Sequence, residues 1–101
     1  MKITSEKLVE RKLYELVKIH KGLCIKLLCN QMMGLPDRLC LLPGKKIAFA
    51  ELKTTGQKPR PIQIAVHNKL RALGFKVAVL DSLEGVIDFI ENLEKDGTNG
   101  K

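Results

Sequence analysis

The sequence predicts an α/β domain in which helices flank a mixed β-sheet. Three observations carry that expectation. Stretches near both ends repeat their apolar residues at helical spacing, and short alternating or β-branched runs separated by Gly and Pro fill the middle. A further helical stretch stands between the last two strand-like runs, and the sheet of such an α/β layer architecture is expected to be mixed. The element order reads α-β-β-β-α-β-α.

The first helix is expected from about Ser5 to His20, with Thr4 or Ser5 as N-cap and Gly22 near its stop. Val9, Leu13, Leu16 and Val17 form its apolar arc, and Glu6 and Glu10 fall on the same line, at the arc's edge. Leu23 to Cys29 reads as a strand, followed by the turn NQMMGLP. DRLCLL, the turn PGK and KIAFAELK read as a β-hairpin. Pro61 suits the first position of the helix PIQIAVHNKLRAL, which stops at Gly74. FKVAVL is expected as a buried strand. Asp81 or Ser82 caps a last helix running to about Lys95, with Leu83, Val86, Ile87, Ile90 and Leu93 facing inward.

With 101 residues the chain makes one domain, here residues 1–95, followed by a flexible tail, 96–101. Hydrophobic residues make up 45% and charged residues 29%, which excludes disorder as the main state. The net charge of +7 favours polyanionic partners. No window approaches the ~20 apolar residues of a membrane span, and MKITSEKLVERKL has no apolar signal-peptide core, so a cytoplasmic protein without a membrane partner is expected. Cys24, Cys29 and Cys40 are odd in number and form no CxxC pair, so they read as small buried hydrophobes rather than as a disulfide or zinc framework.

The chemistry concentrates in AFAELKTTG, residues 48–56. Alternation in a strand sends Ile47, Phe49, Glu51 and Lys53 to one face and Ala48, Ala50 and Leu52 to the other. Glu51 and Lys53 then stand about 6.5 Å apart along the strand. If Pro43, Gly44 and Lys45 form a three-residue loop, Leu41 pairs with Ile47, Leu39 with Phe49 and Asp37 with Glu51. A two-residue loop would instead set Asp37 against Leu52 and separate the acids. We expect the three-residue loop, which gathers the apolar side chains and both acids on one face. Two facing carboxylates suit Mg²⁺ or Mn²⁺, and a neighbouring lysine suits charge building on phosphorus, a combination that fits phosphodiester hydrolysis. Taken by themselves, the same residues also fit a solvated charge pair at a strand end and a turn aspartate.

GLPDR, then AELK after the hairpin, then KPRPIQ resembles the VRR-NUC (virus-type replication-repair nuclease) domain, a branch of the PD-(D/E)XK nuclease superfamily. The likeness runs from SEKLVERKL through VAVLDSLEGV, roughly residues 5–87. It implies a restriction-endonuclease-like core and a Mg²⁺- or Mn²⁺-dependent deoxyribonuclease, with no small-molecule cofactor. Asp37, Glu51 and the backbone carbonyl of Leu52 are implied as metal ligands, Lys53 as the catalytic lysine and Gln63 as its helper. Glu10, or Glu6 one turn earlier, is implied as the acid of the first helix. The apolar, Met-rich LLCNQMMG departs from the pattern; Met32 and Met33 are expected in the core or at a dimer contact.

Arg38, Lys45, Lys46, Lys58, Arg60, Lys69 and Arg71 are candidate phosphate contacts. With 4% aromatics and no Trp there are few platforms for stacking single strands, so duplex or branched DNA is the expected partner. His67, one turn beyond Gln63, is open between the site, the surface and the core. His20 is expected to interact with the C-terminal dipole of the first helix. The chain carries no appended domain, so recognition is expected to fall to this fold or to a second copy of it, and a homodimeric resolvase of four-way (Holliday) junctions, or a flap nuclease, in phage replication or DNA repair is what the likeness implies. The alternative is a non-catalytic basic nucleic-acid-binding module on the same fold.

Overall fold

A computed structural model describes residues 2–28 and 31–96. Helix α1, Glu6–Ile19, starts where the Ser5 hydroxyl accepts the Leu8 N–H at 3.3 Å. Strands β1, Leu23–Lys26, β2, Arg38–Leu42, and β3, Lys46–Leu52, form an antiparallel meander. Helix α2, Pro61–Ala72, crosses over to β4, Lys76–Leu80, which lies parallel to β3. Ser82 caps α3, Leu83–Lys95, by accepting the Gly85 N–H at 2.9 Å. The result is a four-stranded mixed sheet in the order β1-β2-β3-β4, and the element order is the expected one.

The hairpin register settles which residues share a face. Leu41 pairs with Ile47, Leu39 with Phe49 and Arg38 with Ala50 around the three-residue turn 43–45, as expected. Cys40, Leu42, Ala48, Ala50 and Leu52 therefore point to one side, where Val9, Leu13 and Val17 of α1 and Val86, Ile90 and Leu93 of α3 close over them. This is the main core. Alanine at 48 and 50 leaves room for two helices on this face, and each fully buried large side chain such as Leu13 or Ile90 contributes roughly 1.5–3 kcal/mol.

The other face carries Phe49, Glu51 and Val77, and α2 presents its buried residues Gln63, Val66 and His67 to it. Phe49 meets Phe75 edge to face at 5.8 Å. Away from α2 this side stays open, and Leu23 and Ile25 of β1 are exposed.

Several elements differ from the sequence expectation. β1 ends at Lys26 rather than Cys29; one more ladder bond, from Leu27 N–H to the Asp37 carbonyl at 2.9 Å, follows before the strands part, and Cys29 lies outside the described residues. Among the described residues β4 is an edge strand with β3 as its one neighbour, so Val79 is exposed although Val77 and Leu80 are buried. Leu83 and Ile87 lie at the exposed margin of α3, because the helix rests on the Val86–Ile90–Leu93 line with Phe89 beside it. Met32 and Met33 are exposed and fill no core gap. The expected tail falls almost wholly outside the described residues; Asp96 is the C-cap of α3. Cys40 is fully buried and faces half-buried Cys24 across β1 and β2, both as free thiols, and their hydrogen bond together with burial pushes the Cys40 thiol up. Among the described residues no helix is long and apolar enough to cross a membrane.

Candidate active site

β3 ends in Glu51 and Leu52, and Lys53 follows while still tied to the sheet by its N–H on the Leu80 carbonyl at 2.9 Å. The sheet thus fixes where both charged side chains leave the backbone. Asp37 immediately precedes β2, one step beyond the Arg38–Ala50 pair. Its Oδ2 accepts the Leu52 N–H at 2.7 Å, closing the open end of the hairpin. In a strand the N–H and C=O of one residue leave on the same side, so the Leu52 carbonyl also lies toward the β2 flank of β3.

Glu51 is 1% exposed, and its environment is built largely by α2. The two ends of the Gln63 amide have separate partners: its Oε1 accepts the Arg60 N–H at 2.8 Å at the helix start, which leaves its amide nitrogen to donate to Glu51 Oε2 at 2.7 Å. Lys53 Nζ stands 3.4 Å from the same oxygen. On the other oxygen, Oε1, there is no hydrogen bond; His67 Nε2 faces it at 3.6 Å and is equally without a partner. Those two atoms are the unpaired buried side-chain polar atoms among the described residues.

The electrostatics follow from this packing. Burial, reinforced by the neighbouring Asp37 charge, raises the Glu51 carboxyl above the ordinary range, and Lys53 and Gln63 oppose the shift. Burial lowers the His67 imidazole, with Arg71 and Lys53 adding to the effect and Asp37 opposing it. Two nearby carboxylates, one of them buried with an orphaned oxygen, form a set of hard donors that fits a divalent cation. Among the described residues no three His, Cys, Asp or Glu side chains are grouped as a cage for an ion. A Mg²⁺-type ion is commonly held by one or two carboxylates, with water and substrate oxygens completing its sphere.

The structure therefore brings together Asp37, Glu51, Lys53 and Gln63. Glu10 is not free beside them: Arg38 donates to its Oε2 through Nη2 at 2.8 Å and Nε at 3.2 Å, while Arg38 Nη1 donates to the Cys24 carbonyl at 3.2 Å. Arg38 is thus occupied by an internal ion pair. Glu6 has an exposed side chain, and its N–H rests on Thr54 Oγ1 at 3.1 Å, next to Lys53. Lys45 and Lys46 belong to the hairpin's far end, roughly 17 Å from Glu51 along the strand. There Lys46 Nζ donates to the carbonyl and carboxylate of Glu94. Lys58 and Arg60 are exposed in the loop between Lys53 and α2. Lys69 is exposed farther along α2, and Arg71 donates to the Val77 carbonyl at 2.8 Å and to Asn68 Oδ1 at 3.1 Å.

Two features of the site were poorly marked in the sequence. His67 belongs to it, and its spacing of four from Gln63 was the available signal. The TTG turn after Lys53 also anchors the start of α1: Thr4 N–H donates to Thr55 Oγ1 at 2.8 Å, and that hydroxyl donates to the Asp81 carbonyl at 2.8 Å.

No protein-family model matches the chain. It is 42% identical over 82 residues to "Putative nuclease p44" of Acyrthosiphon pisum secondary endosymbiont phage 1, a match that takes in 81% of this chain and 88% of that protein. A solved structure described as "VRR_NUC domain" aligns with a TM-score of 0.80 at 32% identity, covering 87% of this chain and 97% of the other.

Proposed function

Because the chain belongs to the VRR-NUC family of nuclease domains, we propose that it is a Mg²⁺- or Mn²⁺-dependent endonuclease that hydrolyses phosphodiester bonds in structured DNA, a four-way junction or a flap. The observation that carries this reading is the meeting of Asp37, Glu51 and Lys53 at one end of the sheet, with Gln63 clamped onto Glu51.

Asp37, Glu51 and the Leu52 carbonyl are the groups that would hold the cation. When bound, it supplies Lewis-acid activation of water and of the phosphoryl oxygens. Gln63 anchors Glu51 through Oε2, which limits how far the carboxylate must reorganise during the reaction. Lys53, 16% exposed at its side chain, is accessible enough to meet a phosphate; its ammonium offsets the negative charge that accumulates on phosphorus and can exchange a proton with the attacking water. The exposed Lys58 and Arg60 in the loop that follows it supply phosphate contacts that position the backbone without reading bases. A two-fold homodimer would set two such sites against two strands of a symmetric junction. The cytoplasm of a bacterial or phage-infected cell is the compartment in which such a substrate would be met.

The test is cleavage of four-way junction, flap and linear duplex substrates by the purified protein with Mg²⁺, with Mn²⁺ and with chelator. Metal-dependent incision of a branched substrate, abolished in Lys53→Ala and in Glu51→Ala, is the expected result. Incision that persists in both variants would place the chemistry elsewhere. Tight binding indifferent to chelator, with no cleavage, would assign the chain to a non-catalytic binding role on the same fold.

A further inference from the structure

Gln63 and His67 lie one helical turn apart on the same side of α2 and address the two oxygens of one carboxylate. Gln63 already bonds Oε2. Oε1 and His67 Nε2 are both buried, both without a partner, and face each other at 3.6 Å. That separation is longer than a hydrogen bond, yet a shift of roughly half an ångström closes it and satisfies both atoms at once. Among the described residues no other side chain bonds either atom.

We propose that His67 is a positioning residue, its Nε2–H holding Glu51 Oε1 so that Gln63 and His67 grip the carboxylate from both sides. The placement has a physical purpose. Asp37 repels Glu51, and a carboxylate gripped through one oxygen can swing about that bond; a second donor on the opposite oxygen removes the freedom. A Leu or Phe at position 67 would fill the space and leave Oε1 orphaned. What Glu51 is held for rests on the nuclease reading above; that it is held by His67 does not.

The experiment has one arm without metal and one with it. In the metal-free full-length protein, long-range ¹H–¹⁵N NMR of the histidine rings should show His67 as the Nε2–H tautomer, with a signal that moves in Glu51→Ala. An Nδ1–H tautomer, or a signal indifferent to Glu51→Ala, overturns the proposal. In the second arm, Mn²⁺ affinity is read from the free-ion EPR signal. His67→Leu should weaken binding by roughly 10- to 100-fold, as loss of a partner to a metal ligand generally does, and His67→Gln, which retains a donor, should restore most of it. If both variants lose stability while Mn²⁺ affinity stays at the wild-type level, His67 is only packing and the proposal fails. A ¹⁴N coupling from His67 to bound Mn²⁺ would make it a ligand and overturn the positioning role. A wild-type protein that binds no Mn²⁺ sinks the metal reading, while the tautomer still decides the role of His67.

Discussion

Glu51 is the residue where stability and chemistry pull against each other. Burial and the neighbouring Asp37 favour its protonated form, so between the ordinary 4.5 and its raised folded value the native protein binds more protons than the unfolded chain. Its contribution to stability is therefore complete below pH 4.5 and is lost as pH rises through the folded value. Glu51→Gln removes that titration and keeps an amide of the same shape beside Gln63. In metal-free protein, denaturant melts at a series of pH values should show the wild type losing stability relative to Glu51→Gln as pH rises across this window, with the variant the more stable at neutral pH and inactive in cleavage. A variant that tracks the wild type at every pH would mean that Glu51 carries no burial penalty. The approach of the two carboxylates was legible in the sequence because a strand's alternation dictates the face of Glu51, and the hairpin turn dictates the register, observed as far as Arg38–Ala50, that leaves Asp37 one step beyond. The fate of Glu10 was not. Helical spacing puts it on the apolar line, but whether Arg38 reaches it depends on how α1 crosses the sheet, which periodicity does not encode.

At the scale of elements, the clamp on Glu51 depends on how closely α2 approaches the segment before β2, and Gly34 sets that distance. It adopts φ +89°, and a Cβ there would stand 2.7 Å from the Ile62 carbonyl oxygen and 2.9 Å from Val66 Cγ2. Gly34→Ala combines a left-handed backbone, about 1–2 kcal/mol, with overpacking against a helix, about 1–3 kcal/mol. Gly56 also has positive φ, at +88°, but its Cβ would meet nothing within 4 Å, so Gly56→Ala carries the backbone cost alone. Urea melts should rank Gly34→Ala well below Gly56→Ala, and cleavage should fall further in the first because Gln63 and His67 move with α2. Equal losses would show that this close approach does not set the position of α2. The elements themselves were legible where local chemistry was strong: the caps to within one residue, at Ser5 where Thr4 or Ser5 was expected and at Ser82 where Asp81 or Ser82 was, Pro61 at the start of α2, and the turn 43–45. The misses were tertiary. Leu83 and Ile87 are apolar and correctly spaced, yet α3 rests on the Val86–Ile90–Leu93 line and leaves both at its margin, and β4 reads as buried although it lies at the end of the strand order.

Across the whole molecule, an excess of seven positive charges is not spread evenly in its availability. At the end of the sheet away from the site, Glu94 draws His20, the C-cap of α1, to 2.5 Å and also binds Lys46 of the hairpin, tying three elements together. Burial there works against the charged form, but the hydrogen bonds from His20 and Lys46 prevail and hold the Glu94 carboxyl below the usual range. Lys46 is thereby used within the fold, and Arg38 is likewise taken up by Glu10, whereas Lys58 and Arg60 stand exposed in the loop between Lys53 and α2. If DNA lies across the Glu51 end, removing one phosphate-binding cation should lower the slope of log affinity against log salt by about 0.9. Lys58→Ala with Arg60→Ala is therefore expected to flatten that slope by nearly two units for a duplex or a junction alike, since binding to phosphates carries no sequence information. Lys45→Asn, at the hairpin tip and with a residue suited to the positive φ there, should leave the slope unchanged. Fluorescence anisotropy over a salt series, run in chelator to prevent cleavage, measures both. A slope that responds to Lys45 and not to the loop pair would put DNA on the opposite end of the sheet, away from every group that could cut it.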